Sequence, residues 1–236
     1  MAAASAASKG RYGCRGIKAA PGTGVSEKAI GRIMAGDGLV AHVPDVAGAV
    51  PTGGETTPAP GNLIARDFTA ERPDEKRLTD ITGTKTADGK AHPSPVIDRH
   101  DGKTVACTAG HGPDARLADT MPEKAAATLP EDAHLPAHSD RGRRHRRPGW
   151  LELLERFGPT GLTGAKGRSP DDAAAEGFLG GTKVESVHPE RREEYTRGEV
   201  LALIDEYIHW HNHDRIKQSL GWMSPVQYRL RHGLTA

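Results

Sequence analysis

Three short segments of strand-forming residues, separated by glycine-containing turns, constrain the fold of this chain most strongly. They are "KRLTDITGTK" (76–85), "KAHPSPVID" (90–98) and "KTVACTAG" (103–110), with the turns "ADGK" and "RHDGK" between them. Strands this close together predict an antiparallel meander. A fourth strand is predicted in "AHLPAHSD", and helices in "WLELLERFG" and "SPDDAAAEGFLGGTKVES". Strands first, then strand alternating with helix, predict an α/β layer with a mixed sheet.

Helices are predicted on both sides of this region. In "VSEKAIGRIMAGDGL", Ser26 can cap a helix with one apolar stripe, which Gly36 and Gly38 end. Near the other end, Thr196 and Glu199 form a T-x-x-E capping box ahead of apolar residues at helical spacing. A second capping box, with proline at the first helical position, begins "SPVQYRLR". These signals predict a long helix and a short one after the sheet.

The composition limits the size of the core and excludes several classes of protein. Only 36% of residues are apolar and 4% aromatic, against 29 glycines and 17 prolines, which predicts much irregular chain. The two cysteines, Cys14 and Cys107, form no zinc-binding pattern. No stretch is long and apolar enough to predict a membrane span, so a cytoplasmic protein with no membrane partner is expected. The net charge of +1 indicates no partner, but the run "RGRRHRRPGW" suits phosphate backbones.

Three acidic residues are candidate ligands for a metal ion. Asp80 lies in the first predicted strand, Asp140 ends the fourth, and Glu176 lies one turn into a helix. Neighbouring strands and a packed helix could bring three such carboxylates together. A triad of this kind can hold two Mg²⁺ or Mn²⁺ ions, which prefer hard oxygen ligands. Geometry alone leaves this set as one choice among 31 acidic residues.

The surrounding motifs and their spacing add a specific resemblance. Between Asp80 and Asp140 lie 59 residues, and between Asp140 and Glu176 lie 35. With "LTDIT", "HSDRG", "AAAEGFLGGTKVES" and "YIHWHNHDRIKQSLGWMSPVQYR", these spacings resemble the transposases encoded by the second reading frame of insertion sequences, whose DDE catalytic core is like that of retroviral integrase. The resemblance covers nearly the whole chain, from about residue 10 to residue 229.

The resemblance implies the fold and the domain boundaries. It implies an RNase H-like core, a mixed five-stranded sheet with helices on both faces, preceded by a short helix-turn-helix-like segment and followed by a C-terminal helix. Residues 1–10 are expected to be disordered, 11–40 to form a partial DNA-binding segment, and 41–65 to be a linker. Residues 66–190 would form the integrase-like catalytic core and 191–236 its helical extension.

The resemblance also implies a function and its residues. Asp80, Asp140 and Glu176 would be the catalytic metal ligands, and Lys183, seven residues after Glu176, would contact DNA near the scissile phosphate. DNA-backbone contacts are expected from the arginine run, chiefly Arg141, Arg143 and Arg144.

The implied activity is Mg²⁺-dependent DNA cleavage and strand transfer on element ends and target DNA. It implies a homo-oligomer on DNA, with an upstream-frame partner protein, in a bacterial cytoplasm and nucleoid. Two alternatives stay open at this stage. One is a catalytically inactive or decayed remnant that only binds DNA, and the other is an RNase H-type nuclease.

Several residues depart from the family pattern. Arg77 stands where tryptophan is typical, His211 where an aromatic residue is usual, and Asp172 where asparagine is usual. Pro93 and Pro95 predict an edge strand or a broken one, since proline cannot donate to a strand ladder.

Asp98 is equally compatible with a structural role and a site role. A metal site in "HWHNH" is disfavoured because only His209 and His213 share a helix face.

Overall fold

The computed structural model describes residues 1–20, 22–41, 70–79, 83–110, 137–139, 162–163, 180–182, 185 and 194–235. Three helices come first: α1 (Ala2–Ala7), α2 (Cys14–Ala19) and α3 (Glu27–Gly36). The strands follow as β1 (Arg77–Thr79), β2 (Thr84–Thr86), β3 (Gly89–Asp98), β4 (Thr104–Gly110), β5 (Ala137–Ser139) and β6 (Leu162–Thr163). The chain then forms α4 (Arg197–His213), a 3₁₀ turn (Gln218–Leu220) and α5 (Pro225–Arg231).

The strands form one mixed sheet in the order β4-β3-β1-β5-β6, and β2 pairs with the first residues of β3. The pairs β1–β3 and β3–β4 are antiparallel, whereas β1–β5 and β5–β6 are parallel. The antiparallel meander and the mixed sheet are therefore confirmed, and the described residues contain six strands where five were predicted. The predicted first strand, 76–85, contributes both β1 and β2, and both pair with β3.

Strand β3 corrects the expectation drawn from its prolines. It runs from Gly89 to Asp98 and has neighbours on both sides, so it is neither an edge strand nor broken. Pro93 and Pro95 pair with Ala109 and Cys107 of β4, and the register of that pair shifts only further on, between Val96 and Ile97. Pairing along a long hairpin overrides the local cost of the prolines, because strand propensity depends strongly on the neighbouring strands.

Helix α4 packs on the sheet and supplies much of the core. Val200 and Ile204 are buried against Ala91 of β3, with Tyr195 and Ile208 packed around them. The predicted capping box is present, because the Thr196 hydroxyl accepts from the Glu199 amide and the Glu199 carboxylate accepts from the Thr196 amide. The predicted helix and its apolar face are confirmed.

The amino-terminal residues were expected to be disordered up to residue 10, and this is wrong for the structure described. Residues Ala2–Ala7 form α1, and Ser5 and Ser8 are buried. Helices α2 and α3 pack together through Ile17, Ile30 and Met34, and the Ser26 hydroxyl caps α3 as predicted. Local composition hides this order, because the buried contacts of α1 come from other parts of the chain.

Helix α5 docks on the end of the β3–β4 hairpin through buried charges. The Nη2 of Arg229 lies 2.6 Å from Oδ2 of Asp98, and its Nε lies 2.5 Å from Oδ2 of Asp101. Asp98 also accepts from the amides of Asp74 and His100. With both oxygens bonded and no exposed surface, Asp98 has a structural role.

The buried arginine at position 77 is accommodated by a nearby acid. Its side chain is 1% exposed, and its Nη2 lies 2.6 Å from Oδ1 of Asp74. A guanidinium therefore fills the place where the family pattern has an indole, and Asp74 compensates its charge.

Candidate active site

Strands β1 and β5 lie side by side. They run parallel, and their last residues, Thr79 and Ser139, are register partners. Adjacent strands are about 4.8 Å apart, so these two residues are neighbours across the sheet. Thr79 is buried, and its hydroxyl lies 3.4 Å from that of Ser94 in β3. Asp80 and Asp140 are the residues that follow these two ends in sequence, and both lie outside the described residues.

The segment that contains Glu176 and Lys183 is described at three helical residues, 180–182, and at Glu185. Gly181, Thr182 and Glu185 are buried. A Cβ atom at Gly181 would lie 3.3 Å from the hydroxyl of Tyr207 in α4, so the glycine allows a close approach of this segment to α4. Glu176 and Lys183 themselves lie outside the described residues.

A buried carboxylate that sequence reasoning missed holds this segment to α4. The Glu185 carboxylate accepts two hydrogen bonds from the Arg215 guanidinium. Nη2 donates to Oε1 at 2.9 Å, and Nη1 donates to Oε2. The Tyr207 hydroxyl donates to Oε2 of Glu185 at 3.1 Å and accepts from Arg215 at 2.7 Å. Burial raises the pKa of Tyr207 and outweighs the opposing charge of Arg215, and the Glu185 charge raises it further, so the phenol keeps the proton that it donates. No local motif in "GTKVES" indicates this ion pair.

Arg11 brings the amino-terminal segment to the same place. Its side chain is 5% exposed, its Nε donates to the backbone carbonyl of Glu185 at 3.2 Å, and its guanidinium lies 4.6 Å from the ring centroid of Trp210. Tyr12 adds a bridge to the end of α4, accepting from the Ile216 amide and donating to the Asp214 carbonyl. We call Glu185, Tyr207, Arg215 and Arg11 the Glu185 cluster.

The histidines of "HWHNH" do not form a metal site in the described structure. His209 and His213 are exposed and stack at 4.5 Å, as expected from their common face. His211 is buried, and its Nε2 lies 3.0 Å from the Gly102 carbonyl oxygen. Asn212 binds both the amide and the carbonyl of Thr104. Within the described ranges, no group of three or more histidine, cysteine, aspartate or glutamate side chains could hold a metal ion.

The predicted DNA-contacting arginines, Arg141, Arg143 and Arg144, lie outside the described residues, as does the predicted linker apart from Ala41. In the part of the chain that the structure describes, no helix is long and apolar enough to cross a membrane.

Comparison with curated proteins decides the family. The chain is 42% identical over 226 residues to "Probable transposase for insertion sequence element IS1353" of Shigella flexneri, covering 94% of this chain and 44% of that protein. It is 36% identical over 176 residues to an "Uncharacterized transposase-like protein" of Haemophilus influenzae, covering 75% of this chain and 80% of the relative. The chain belongs to the insertion-sequence transposase family. It spans less than half of the Shigella relative but most of the Haemophilus one.

Further comparisons agree with membership of the transposase family. The "Integrase core domain" family matches residues 176–232, a range that begins at Glu176. Transposase InsF of insertion sequence IS3A from Escherichia coli is 29% identical over 174 residues, covering 72% of this chain and 59% of that protein.

Solved structures show the fold. The catalytic core domain of BIV integrase matches with a TM-score of 0.50 at 15% identity, covering 68% of this chain and 96% of that one. A chain of the simian T-cell lymphotropic virus intasome, solved in complex with PP2A regulatory subunit B56 gamma, matches with a TM-score of 0.51 at 16% identity, covering 82% and 63%. The predicted RNase H-like fold is confirmed.

Proposed function

We propose that this transposase-family chain cleaves DNA strands at the ends of an insertion sequence and joins them to target DNA, with Asp80, Asp140 and Glu176 as its metal-binding carboxylates. The observation that carries the proposal is the parallel register of Thr79 with Ser139, because Asp80 and Asp140 come next in sequence after these two paired ends. The start of the integrase core match at Glu176 supports the third member.

The proposed residues fit a divalent cation of the hard class. Three carboxylates supply oxygen ligands and no thiolate, which suits Mg²⁺ or Mn²⁺. When bound, a pair of such ions would activate the attacking oxygen and stabilise the leaving oxygen of a phosphodiester. The carboxylates of the chain would hold and orient these ions, and Lys183 would bind a phosphate oxygen beside them.

The proposed reaction has two steps, a hydrolysis and then a transesterification. Water attacks a phosphodiester at the element end, and the bond to the 3′ oxygen breaks, leaving a 3′-OH and a 5′-phosphate. That 3′-OH then attacks a target phosphodiester, forms the new bond and releases a target 3′-OH. No external energy source is needed in the second step, because one phosphodiester replaces another.

The proposed partners follow from this chemistry. The arginine run with Arg141, Arg143 and Arg144 would bind DNA backbones, and α2 and α3 would contribute to recognition of the element ends. Phosphate contacts of this kind make binding fall steeply with salt concentration. A homo-oligomer on DNA, a partner protein from an upstream frame and a nucleoid location belong to the same proposal.

A cleavage assay tests the function. Purified full-length chain is incubated with labelled element-end DNA and Mg²⁺, beside Asp140→Asn and the control Asp205→Asn, an exposed acid on α4. We expect cleavage and strand transfer by the wild type and the control, and loss of both in Asp140→Asn. Equal cleavage by all three proteins, or none by any, would refute the proposal. DNA binding without cleavage would favour a remnant that only binds DNA, and cleavage of RNA–DNA hybrids without joining would favour a nuclease.

A further inference from the structure

We propose that the Glu185 cluster positions the segment that contains Glu176 and Lys183, so that Glu185, Tyr207 and Arg215 are positioning residues for the metal site. This inference rests on the proposed function, because it assigns these residues to the support of the same site. The cluster joins three parts of the chain that are far apart in sequence: the amino-terminal segment, the region after Glu176, and α4 with the turn beyond it.

The first argument is the geometry of the cluster itself. Arg215 and Glu185 form a bidentate pair, which fixes both the distance and the plane of the carboxylate. The Tyr207 hydroxyl hydrogen-bonds to both Glu185 and Arg215, so the three side chains hold one another in place. Glu185 is 6% exposed and Tyr207 1%, so water has little access to the carboxylate and the phenol.

The second argument is the place of Glu185 in the chain. It follows Lys183 by two residues and Glu176 by nine. Just before it, Gly181 and Thr182 are buried, and a Cβ atom at Gly181 would lie 3.3 Å from the hydroxyl of Tyr207, the same hydroxyl that bonds Glu185. The segment thus lies close to Tyr207 of α4 and is bonded to it through Glu185. Glu176 and Lys183 lie close enough in sequence to depend on this attachment.

The third argument is the contribution of the amino-terminal segment. Arg11 donates to the Glu185 carbonyl and lies over Trp210, while Lys9 pairs with Glu206 at 2.8 Å on α4. The segment expected to recognise DNA ends therefore contacts the residues that hold the active-site segment. Mutation of residues that hold metal ligands in place from outside the site typically weakens metal binding about 10- to 100-fold.

Hydrogen exchange of the full-length protein, titrated with Mg²⁺ alone, tests this role without relying on activity. The variants are Glu185→Gln, which keeps the size of the side chain, and Tyr207→Phe, which removes only the hydroxyl. The matched control is Asp101→Asn, which weakens a buried pair with Arg229 away from the cluster. In metal-free protein we expect faster exchange of peptides covering 176–186 in both variants, with 89–98 unchanged. We expect the Mg²⁺ concentration that half-suppresses exchange in 176–186 to rise about tenfold or more in the variants and to stay at the wild-type value in the control.

The outcomes separate this inference from the proposed function. If both variants show the same exchange and the same Mg²⁺ dependence as the wild type, the positioning role is overturned. An equal rise of exchange throughout the protein would overturn it as well. Failure of Mg²⁺ to change exchange in the wild type would overturn it too. Suppression of exchange by Mg²⁺ without any DNA cleavage would refute the proposed function and leave the positioning role intact. If Glu185→Gln does not fold, Tyr207→Phe alone decides the test.

Discussion

Replacing His211 by phenylalanine should remove a large part of the acid sensitivity of this fold. His211 is 6% exposed, and its Nε2 lies 3.0 Å from the Gly102 carbonyl oxygen, so this nitrogen carries a proton and donates it to that oxygen. Burial, followed by the positive charges of Lys217 and Arg215, lowers the pKa of His211 from 6.5 to about 3. The folded protein therefore does not take up this proton until the pH is near 3, whereas the unfolded chain takes it up near pH 6.5.

The direction and size of the effect follow from this difference. Because the unfolded state binds the proton first, the free energy of unfolding falls as the pH drops from 6.5 towards 3. Each pH unit below the pKa of the unfolded chain lowers the free energy of unfolding by about 1.4 kcal/mol. The stability lost is therefore about 1 kcal/mol at pH 5.5 and about 3 kcal/mol at pH 4.5. His211→Phe also loses the bond to Gly102, which costs about 1 kcal/mol at every pH.

Urea unfolding followed by tryptophan fluorescence measures both terms. The free energy of unfolding is determined at pH 7.5, 6.5, 5.5 and 4.5 for the wild type, His211→Phe and the control His209→Phe, which changes an exposed histidine of the same helix. We expect the wild type and the control to lose stability in parallel, and His211→Phe to lose less between pH 6.5 and 4.5. A profile for His211→Phe that runs parallel to the wild type would refute the reasoning.

Two further substitutions test the buried polar contacts. Arg229→Gln removes the cation that pairs with Asp98 and Asp101. Because this leaves two buried carboxylates unpaired, it should lower the free energy of unfolding by about 3–5 kcal/mol. A loss below about 1 kcal/mol in urea unfolding would contradict the pairing. Asn212→Ala leaves the amide and carbonyl of Thr104 without this partner and should cost about 1–3 kcal/mol, with faster hydrogen exchange at the start of β4. Unchanged exchange there would show that Asn212 does not hold the strand.

The candidate site was predicted in outline and only partly described. The spacing of Asp80, Asp140 and Glu176 led to the family, which comparison with curated proteins then established. Neighbouring strands were expected to be able to bring Asp80 and Asp140 together, and the residues before them, Thr79 and Ser139, are register partners. The carboxylates themselves lie outside the described residues, so their role stays a prediction. The Glu185 cluster was missed, because none of its members has a motif that marks it.

The sequence by itself determined the elements whose signals are local. Ser26, Thr196 and Ser224 each cap a helix where the sequence predicts one, because a cap depends on a hydroxyl and an amide three residues apart. The meander was predicted for the same reason, since its turns are short and rich in glycine. The apolar spacing of α4 also identified the face that packs on β3.

Only the tertiary structure decided which distant charges meet and which strand is central. Arg11 and Glu185 are 174 residues apart in sequence, and Arg229 and Asp98 are 131 apart. No local pattern predicts such pairs, because a buried charge is stable only where the fold supplies its partner. The prolines of β3 were misleading for a related reason. Their local cost is fixed by the sequence, but the pairing that outweighs it comes from strands assembled by the whole fold.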